Sequence, residues 1–155
     1  PVYVYGPLIL GRKHASIALI YRLMTRAVPG CLDLNFSVVD VRDVAKAHLV
    51  AMVSPNAAGK RFLLYSETVS MQEVARILDR HYRGKGYKIP TMKFPNFVVH
   101  VMALFDPAIR LVKRSVGRRV EYSNARLKQE LGIEPLGAEV AVLAMAESLI
   151  ALGMV

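Results

Sequence analysis

Three short runs rich in β-branched and aromatic residues each lead, through a turn, towards a stretch with helical periodicity. That alternation constrains the chain more than any other feature, because it calls for an α/β sheet. The first run is Val2-Tyr3-Val4-Tyr5, ended by Gly6-Pro7. A helix is predicted over 15–27, with Ile17, Ile20, Tyr21 and Met24 at helical spacing and Pro29-Gly30 as the stop. The second strand is predicted at 36–39, followed by a turn and helix over 40–53 with Val44, Ala47, His48 and Ala51 on one face. The third strand is placed at 61–65. Ser70-Met71-Gln72-Glu73 then has the pattern of a capping box opening a helix that buries Val74, Ile77 and Leu78.

From there the chain reads as mostly helical. Gly84-Lys85-Gly86 is a turn and 87–89 a short strand. Helices are expected over 96–105, 107–116, 124–131 and 138–152, with Gly132 in the left-handed position that closes the third of them. The fold class expected is therefore α/β: the C-terminal portion of a Rossmann-type parallel sheet with a smaller, mostly helical part. Within a single partial domain over 1–155, residues 1–68 carry mainly sheet elements and 69–155 are mainly helical. The strand-like run begins at Pro1 itself and three or four strands make a thin sheet, so the chain reads as part of a longer one.

Composition narrows the function classes. Hydrophobic residues make up 54% and charged residues 21% of the 155, enough to form a core and unlike a disordered tail. The single cysteine, Cys31, excludes an internal disulfide and fits a reducing compartment, with cytoplasmic placement as the expectation. The net charge of +9 favours anionic partners, although the basic residues fall in short clusters of the kind that solvated helix ends and loops carry. The apolar run over 97–105 is too short to span a membrane and stops at Asp106-Pro107, and the last helix carries Glu139 and Glu147.

No catalytic constellation assembles from the residues alone. There is no glycine-rich dinucleotide fingerprint, and Gly59-Lys60 lacks the upstream glycine of a phosphate loop. His14, His48, His81 and His100 have no zinc-ligand spacing, and His48 and His100 read as core or interface histidines. Ser16, Ser66 and Ser70 lack the glycine-flanked nucleophile turn. The most informative segment is 1–17, where a strand passes through Gly6-Pro7 and the polar turn Gly11-Arg12-Lys13-His14 into a helix opening near Ser16. A helix start offers free amide N–H groups and a positive dipole end, to which Ser16 adds a hydroxyl and Arg12 and Lys13 add charge. The combination suits a phosphate, but an ordinary capped helix with solvated basic residues is the simpler account from the residues alone. Asp40 and Asp43 lie at a strand–helix junction, where helix electrostatics alone explain two carboxylates.

These segments resemble extended short-chain dehydrogenases/reductases, the epimerase/dehydratase superfamily, in the branch of dihydroflavonol reductase and 3β-hydroxysteroid dehydrogenase. Pro1-Val2-Tyr3-Val4-Tyr5-Gly6-Pro7-Leu8 is similar to that branch's Pro-x-x-Val-x-Gly-Pro strand. Val39-Asp40-Val41-Arg42-Asp43-Val44-Ala45-Lys46-Ala47-His48 follows its Val-Asp-Val-x-Asp-Val-Ala-x-Ala-His segment. Gly59 to Leu64 with Ser70 to Glu73, Ser123 to Gly132, and Glu147-Ser148-Leu149-Ile150 match its later elements in the same order.

The resemblance implies a cofactor-edge and substrate-binding portion of an oxidoreductase that uses NADP or NAD and acts on a carbonyl or secondary alcohol. It implies that Pro1, Tyr3 and Ser16 border the cofactor. It also implies a small-molecule substrate of hydrophobic or aromatic character, met by the loop after Leu8, the helix around 97–105 and Tyr87. The family's glycine motif and its catalytic Ser, Tyr and Lys lie upstream of the proline strand, and no Tyr-x-x-x-Lys occurs in this chain. No catalytic residue and no metal ligand is therefore assigned here, and the N-terminal half of the same protein is the expected partner. Two rivals stand beside this reading. One is a non-catalytic NAD(P)-binding sensor or scaffold of the same fold. The other, ranked lower, is a basic nucleic-acid-binding module, set aside because Tyr3, Tyr5, Phe36 and Phe62 sit in apolar runs and are not interleaved with Lys or Arg. Peripheral membrane attachment is left open by the apolar final helix.

Overall fold

Val38 and Val39 are adjacent in one strand, both are buried, and they face opposite ways. A strand buried on both faces needs a layer of helices on each side, and the computed structural model of the chain supplies two. Residues 1–11, 15–95, 97 and 115–155 are described. Strands β1 (Tyr3–Tyr5), β2 (Asn35–Asp40) and β3 (Glu67–Ser70) form one sheet in that order. Helices α1 (Ala15–Met24), α3 (Met71–Tyr82) and α5 (Ala138–Ala151) cover the face reached by Tyr5, Val38 and Val69, with Ile20, Leu23, Leu78 and Leu149 fully buried between them. Helices α2 (Val41–Val53) and α4 (Ala125–Leu131) cover the other face, where Val39, Ala47, Leu64, Leu127 and Ile133 meet.

The sheet is mixed, not wholly parallel. β1 runs parallel to β2, with Tyr3 beside Val38 and Tyr5 beside Asp40. β3 returns antiparallel, with Ser37 beside Thr68. The third strand also lies later than the sequence places it, at Glu67–Ser70 in place of 61–65. Leu64 and Tyr65 are buried, and that burial produces the strand-like pattern. Their stretch nonetheless joins the sheet only through isolated bonds such as Val2 N–H to Leu64 O at 3.3 Å and Ser66 N–H to Val38 O at 2.8 Å. Residues 87–89 form no strand. Tyr87 N–H closes back on Tyr82 O at 3.4 Å after a 3-10 turn over Arg83–Lys85, and the nearby bridge joins Cys31 to Lys93 instead.

Helix ends follow local chemistry. α1 stops at Met24 and not at Ala27, because Arg26 takes a left-handed conformation with φ 54°. The N–H groups of Arg26 and Ala27 then bond the carbonyls of Leu23 and Arg22, which would otherwise lack partners. The capping box of α3 is complete: Ser70 Oγ accepts from Glu73 N–H at 3.1 Å and Glu73 Oε2 accepts from Ser70 N–H at 2.6 Å. Gly132 closes α4 with φ 62°. The helices expected over 96–105 and 107–116, and His100 with them, fall almost wholly outside the described residues. His48 is exposed on α2, where its Nδ1 lies 2.7 Å from Val44 O, so it is not a core histidine.

Candidate functional site

Strand β1 contributes Tyr3 and Val4 to the lining of an open cleft of about 720 Å³. Pro1, Val2, Tyr3 and Val4 form its floor, and Ser16 from the first turn of α1 reaches it. Asn35 and Ser37 of β2 and Leu63 add to the lining, and Ser115, Arg118, Val120 and Tyr122 make the opposite wall. Pro1, Tyr3 and Ser16, all from the N-terminal segment, line one cavity. Tyr3 is 46% exposed and its ring meets Phe36 edge-on, 5.4 Å between centroids. A half-exposed tyrosine in the lining can offer both an aromatic face and a hydroxyl.

Ser16 stands at the second helical position, since α1 begins at Ala15, so it is not the residue immediately before the helix. Arg12, Lys13 and His14, which the phosphate argument also used, lie outside the described residues. Of the expected substrate contacts, Ile9 and Leu10 after Leu8 are exposed. Tyr87 packs against Tyr82, 5.8 Å between ring centroids, in the core cluster and not in the cleft lining.

Sequence reasoning missed the opposite wall. Residues 117–123 cross the β2–β3 face without regular secondary structure. Side chains of the sheet grip their main chain: Asn35 Nδ2–H donates to Arg118 O at 2.9 Å and Thr68 Oγ1–H to Val120 O at 2.8 Å. Ser37 Oγ lies 3.0 Å from Thr68 Oγ1 and 3.3 Å from Val120 O, and Tyr65 Oη lies 3.1 Å from the same Thr68 hydroxyl. The only legible trace of this wall was the run of polar residues on β2 and β3, Asn35, Ser37 and Thr68, at positions where strands facing a helix carry apolar side chains.

The carboxylates at the β2–α2 junction are structural. Asp40 is fully buried, caps α2 by accepting from Arg42 N–H, and receives the Arg42 guanidinium through Nε at 2.8 Å and Nη2 at 2.7 Å. Burial pushes its carboxyl up, but the Arg42 hydrogen bonds and charge outweigh that and hold it below the usual carboxylate range. Asp43 Oδ2 accepts from Leu136 N–H at 2.7 Å and so ties α2 to the approach to α5. Burial raises the Cys31 thiol, whose Sγ lies 3.3 Å from Pro90 O, which makes it a poor nucleophile.

No family model matches the chain. Individual proteins do. Cinnamoyl-CoA reductase 2 of Arabidopsis thaliana is 28% identical over 151 residues, 88% of this chain and 41% of that protein. NADPH-dependent methylglyoxal reductase GRE2 of Saccharomyces cerevisiae is 35% identical over 99 residues, 60% of this chain and 29% of that protein. The crystal structure of vestitone reductase from alfalfa superposes with a TM-score of 0.68 over 99% of this chain and 44% of its own, at 17% identity, a likeness of fold.

The chain is similar to part of the enzymes of the extended short-chain dehydrogenase/reductase family.

It spans less than half the length of each of these three relatives. Within that span it is partially homologous to NAD(P)-dependent carbonyl reductases. Yeast Gre2, a methylglyoxal/isovaleraldehyde reductase, has been solved complexed with NADPH. Against these reductases the α/β fragment, with its mixed three-stranded sheet and five described helices, corresponds to part of the Rossmann-type unit. No helix among the described residues is long and apolar enough to cross a membrane.

Proposed function

We propose that this chain is the cofactor-edge and substrate-binding portion of an NAD(P)-dependent oxidoreductase acting on a carbonyl or secondary alcohol. The observation that carries the reading is the meeting of Pro1, Tyr3 and Ser16 in one cleft. The lining fits a dinucleotide: hydroxyls at Ser16, Tyr3 and Tyr122, an amide at Asn35, and apolar surface at Val2, Val4 and Leu63. When bound, NADP or NAD supplies the hydride-accepting or hydride-donating nicotinamide. This chain's own part is to bind and orient. Ser16 offers its hydroxyl and neighbouring free amides to a phosphate, Tyr3 an aromatic edge, and the apolar floor excludes water from one side of a hydrophobic or aromatic substrate.

Proton transfer is left to residues outside the chain, because no Tyr-x-x-x-Lys occurs within it. Among the described residues β1 is an outer strand of the sheet, which supports a neighbouring strand from the N-terminal half of the same protein as partner, since an edge strand presents unpaired backbone groups. On this reading residues 1–68 extend the cofactor sheet, 69–155 form the substrate part, and the protein works in the cytoplasm. The runner-up is a sensor or scaffold that binds the dinucleotide without turning it over.

Calorimetric titration of NADPH into the chain joined to its N-terminal half tests the reading. Ser16→Ala should weaken binding about tenfold, the loss of one hydrogen bond to a charged group. Ser16→Asp should keep stability, because acidic residues suit a first helical turn, yet repel a phosphate and weaken binding further. Equal affinities for wild type and both variants would remove Ser16 from the site.

A further inference from the structure

Among the described residues that line the cleft, Arg118 carries the one charged side chain, and no carboxylate lines it. Its neighbour Arg119 is differently placed: Nε lies 3.1 Å from Glu121 Oε1 and Nη2–H donates to Thr68 O at 3.0 Å, so its charge is paired and two of its donors are engaged. Arg118 has no such carboxylate partner among the described residues.

The backbone around Arg118 is fixed from two sides. Gly117 N–H donates to Asp33 O at 2.8 Å, and Arg118 O accepts from Asn35 Nδ2 at 2.9 Å. Gly117 has φ 73°, a conformation open to glycine that turns the chain just before the arginine. Two residues on, Val120 O is held by Thr68 and approached by Ser37. Arg118 is therefore mounted on a short segment whose irregular path the sheet's own polar side chains impose. A guanidinium with no carboxylate partner among the described residues, on a fixed backbone in a cleft lined by hydroxyls, suits an oxyanion that accepts two hydrogen bonds side by side.

We propose that Arg118 is the anion-recognising residue of this cleft, and that the ligand seated there presents an oxyanion, phosphate or carboxylate, to the 117–123 segment. The inference rests on the cleft being the ligand site proposed above. The two sources of such an oxyanion are a cofactor phosphate and an acidic group on the substrate.

Three probes separate them: NADPH, inorganic pyrophosphate and benzoate, each titrated calorimetrically at low salt into the wild-type chain, Arg118→Ala, Arg118→Lys and the surface control Lys46→Ala. Arg118→Ala should weaken at least one probe about tenfold, with the effect shrinking as salt rises because the site is open to solvent. Arg118→Lys should recover part of the loss, since it keeps charge but not the fork, and Lys46→Ala should change nothing. Loss confined to NADPH and pyrophosphate assigns the cofactor phosphate, and loss confined to benzoate assigns an acidic substrate. Unchanged binding of all three probes by Arg118→Ala, or equal weakening by Lys46→Ala, overturns the proposal. If NADPH still binds in that case, the cofactor reading survives. If pyrophosphate binds through Arg118 but NADPH does not bind, the anion site stands and the cofactor reading falls. A wild-type chain that binds none of the probes, alone or joined to its N-terminal half, refutes both.

Discussion

Asp40 shows how one side chain can hold a junction together. It caps α2, takes both Arg42 donors and packs beneath Gly6, where a Cβ would lie 3.1 Å from its Oδ1. Its carboxyl is held below the ordinary value, so the ionised form contributes to folding. The sign follows from linkage. A depressed folded pKa gives stability that is fully present above the unfolded value of about 3.9 and is lost as pH falls through the lower folded value. Acid titration of unfolding should therefore show wild type losing stability in that window. Asp40→Ala should lose about 2–4 kcal/mol at neutral pH, from the cap and the charged hydrogen bonds together, and show a flatter acid limb. Denaturant melts at pH 7 and pH 3 measure both, and an Asp40→Ala curve parallel to wild type would contradict the role. Arg42 is half exposed, which places the expected loss below that of a wholly buried pair. The Asp-x-x-Asp spacing was legible in the sequence. Asp40 finds its partner two residues on in Arg42, whereas Asp43's depends on where Leu136 returns, 93 residues later.

At the scale of elements, the helices were the more legible, because their signals are local. The capping box of α3 and the left-handed Gly132 are written within a few residues. Strand pairing is not local. Residues 61–65 carry buried Leu64 and Tyr65, yet the ladder forms at Glu67–Ser70, whose polar Thr68 is buried because it meets Ser37 and the 117–123 segment. No periodicity inside 61–70 distinguishes the two. The β1 end is set by Gly6, with φ 123° and a would-be Cβ 2.8 Å from Val41 Cγ1. Gly6→Ala should cost more than 1 kcal/mol, because strain at positive φ adds to the clash with α2. A melting shift of several degrees downward is the expected reading, and an unchanged midpoint would show that the turn relaxes freely.

For the whole molecule, the α/β class and the two helical layers follow from the alternation of elements, and the order of five segments carries the family resemblance. The cleft itself was only half legible. Pro1, Tyr3 and Ser16 came from one N-terminal segment and the resemblance it carries. Arg118 and Tyr122 reach the same cavity by a path across β2 and β3 that only tertiary hydrogen bonds define. Site and fold thus depend on each other: the polar residues of β2 weaken an apolar strand pattern and build a wall of the cleft. The most direct measurement is backbone amide NMR of the isotopically labelled chain during titration with NADPH. The expected shifts cluster at Tyr3, Ser16, Ser37, Arg118 and Tyr122, with α3 and α5 unmoved. Saturating NADPH that shifts no amide in this set, or shifts residues on α3 alone, would contradict the assignment of this cleft to the cofactor.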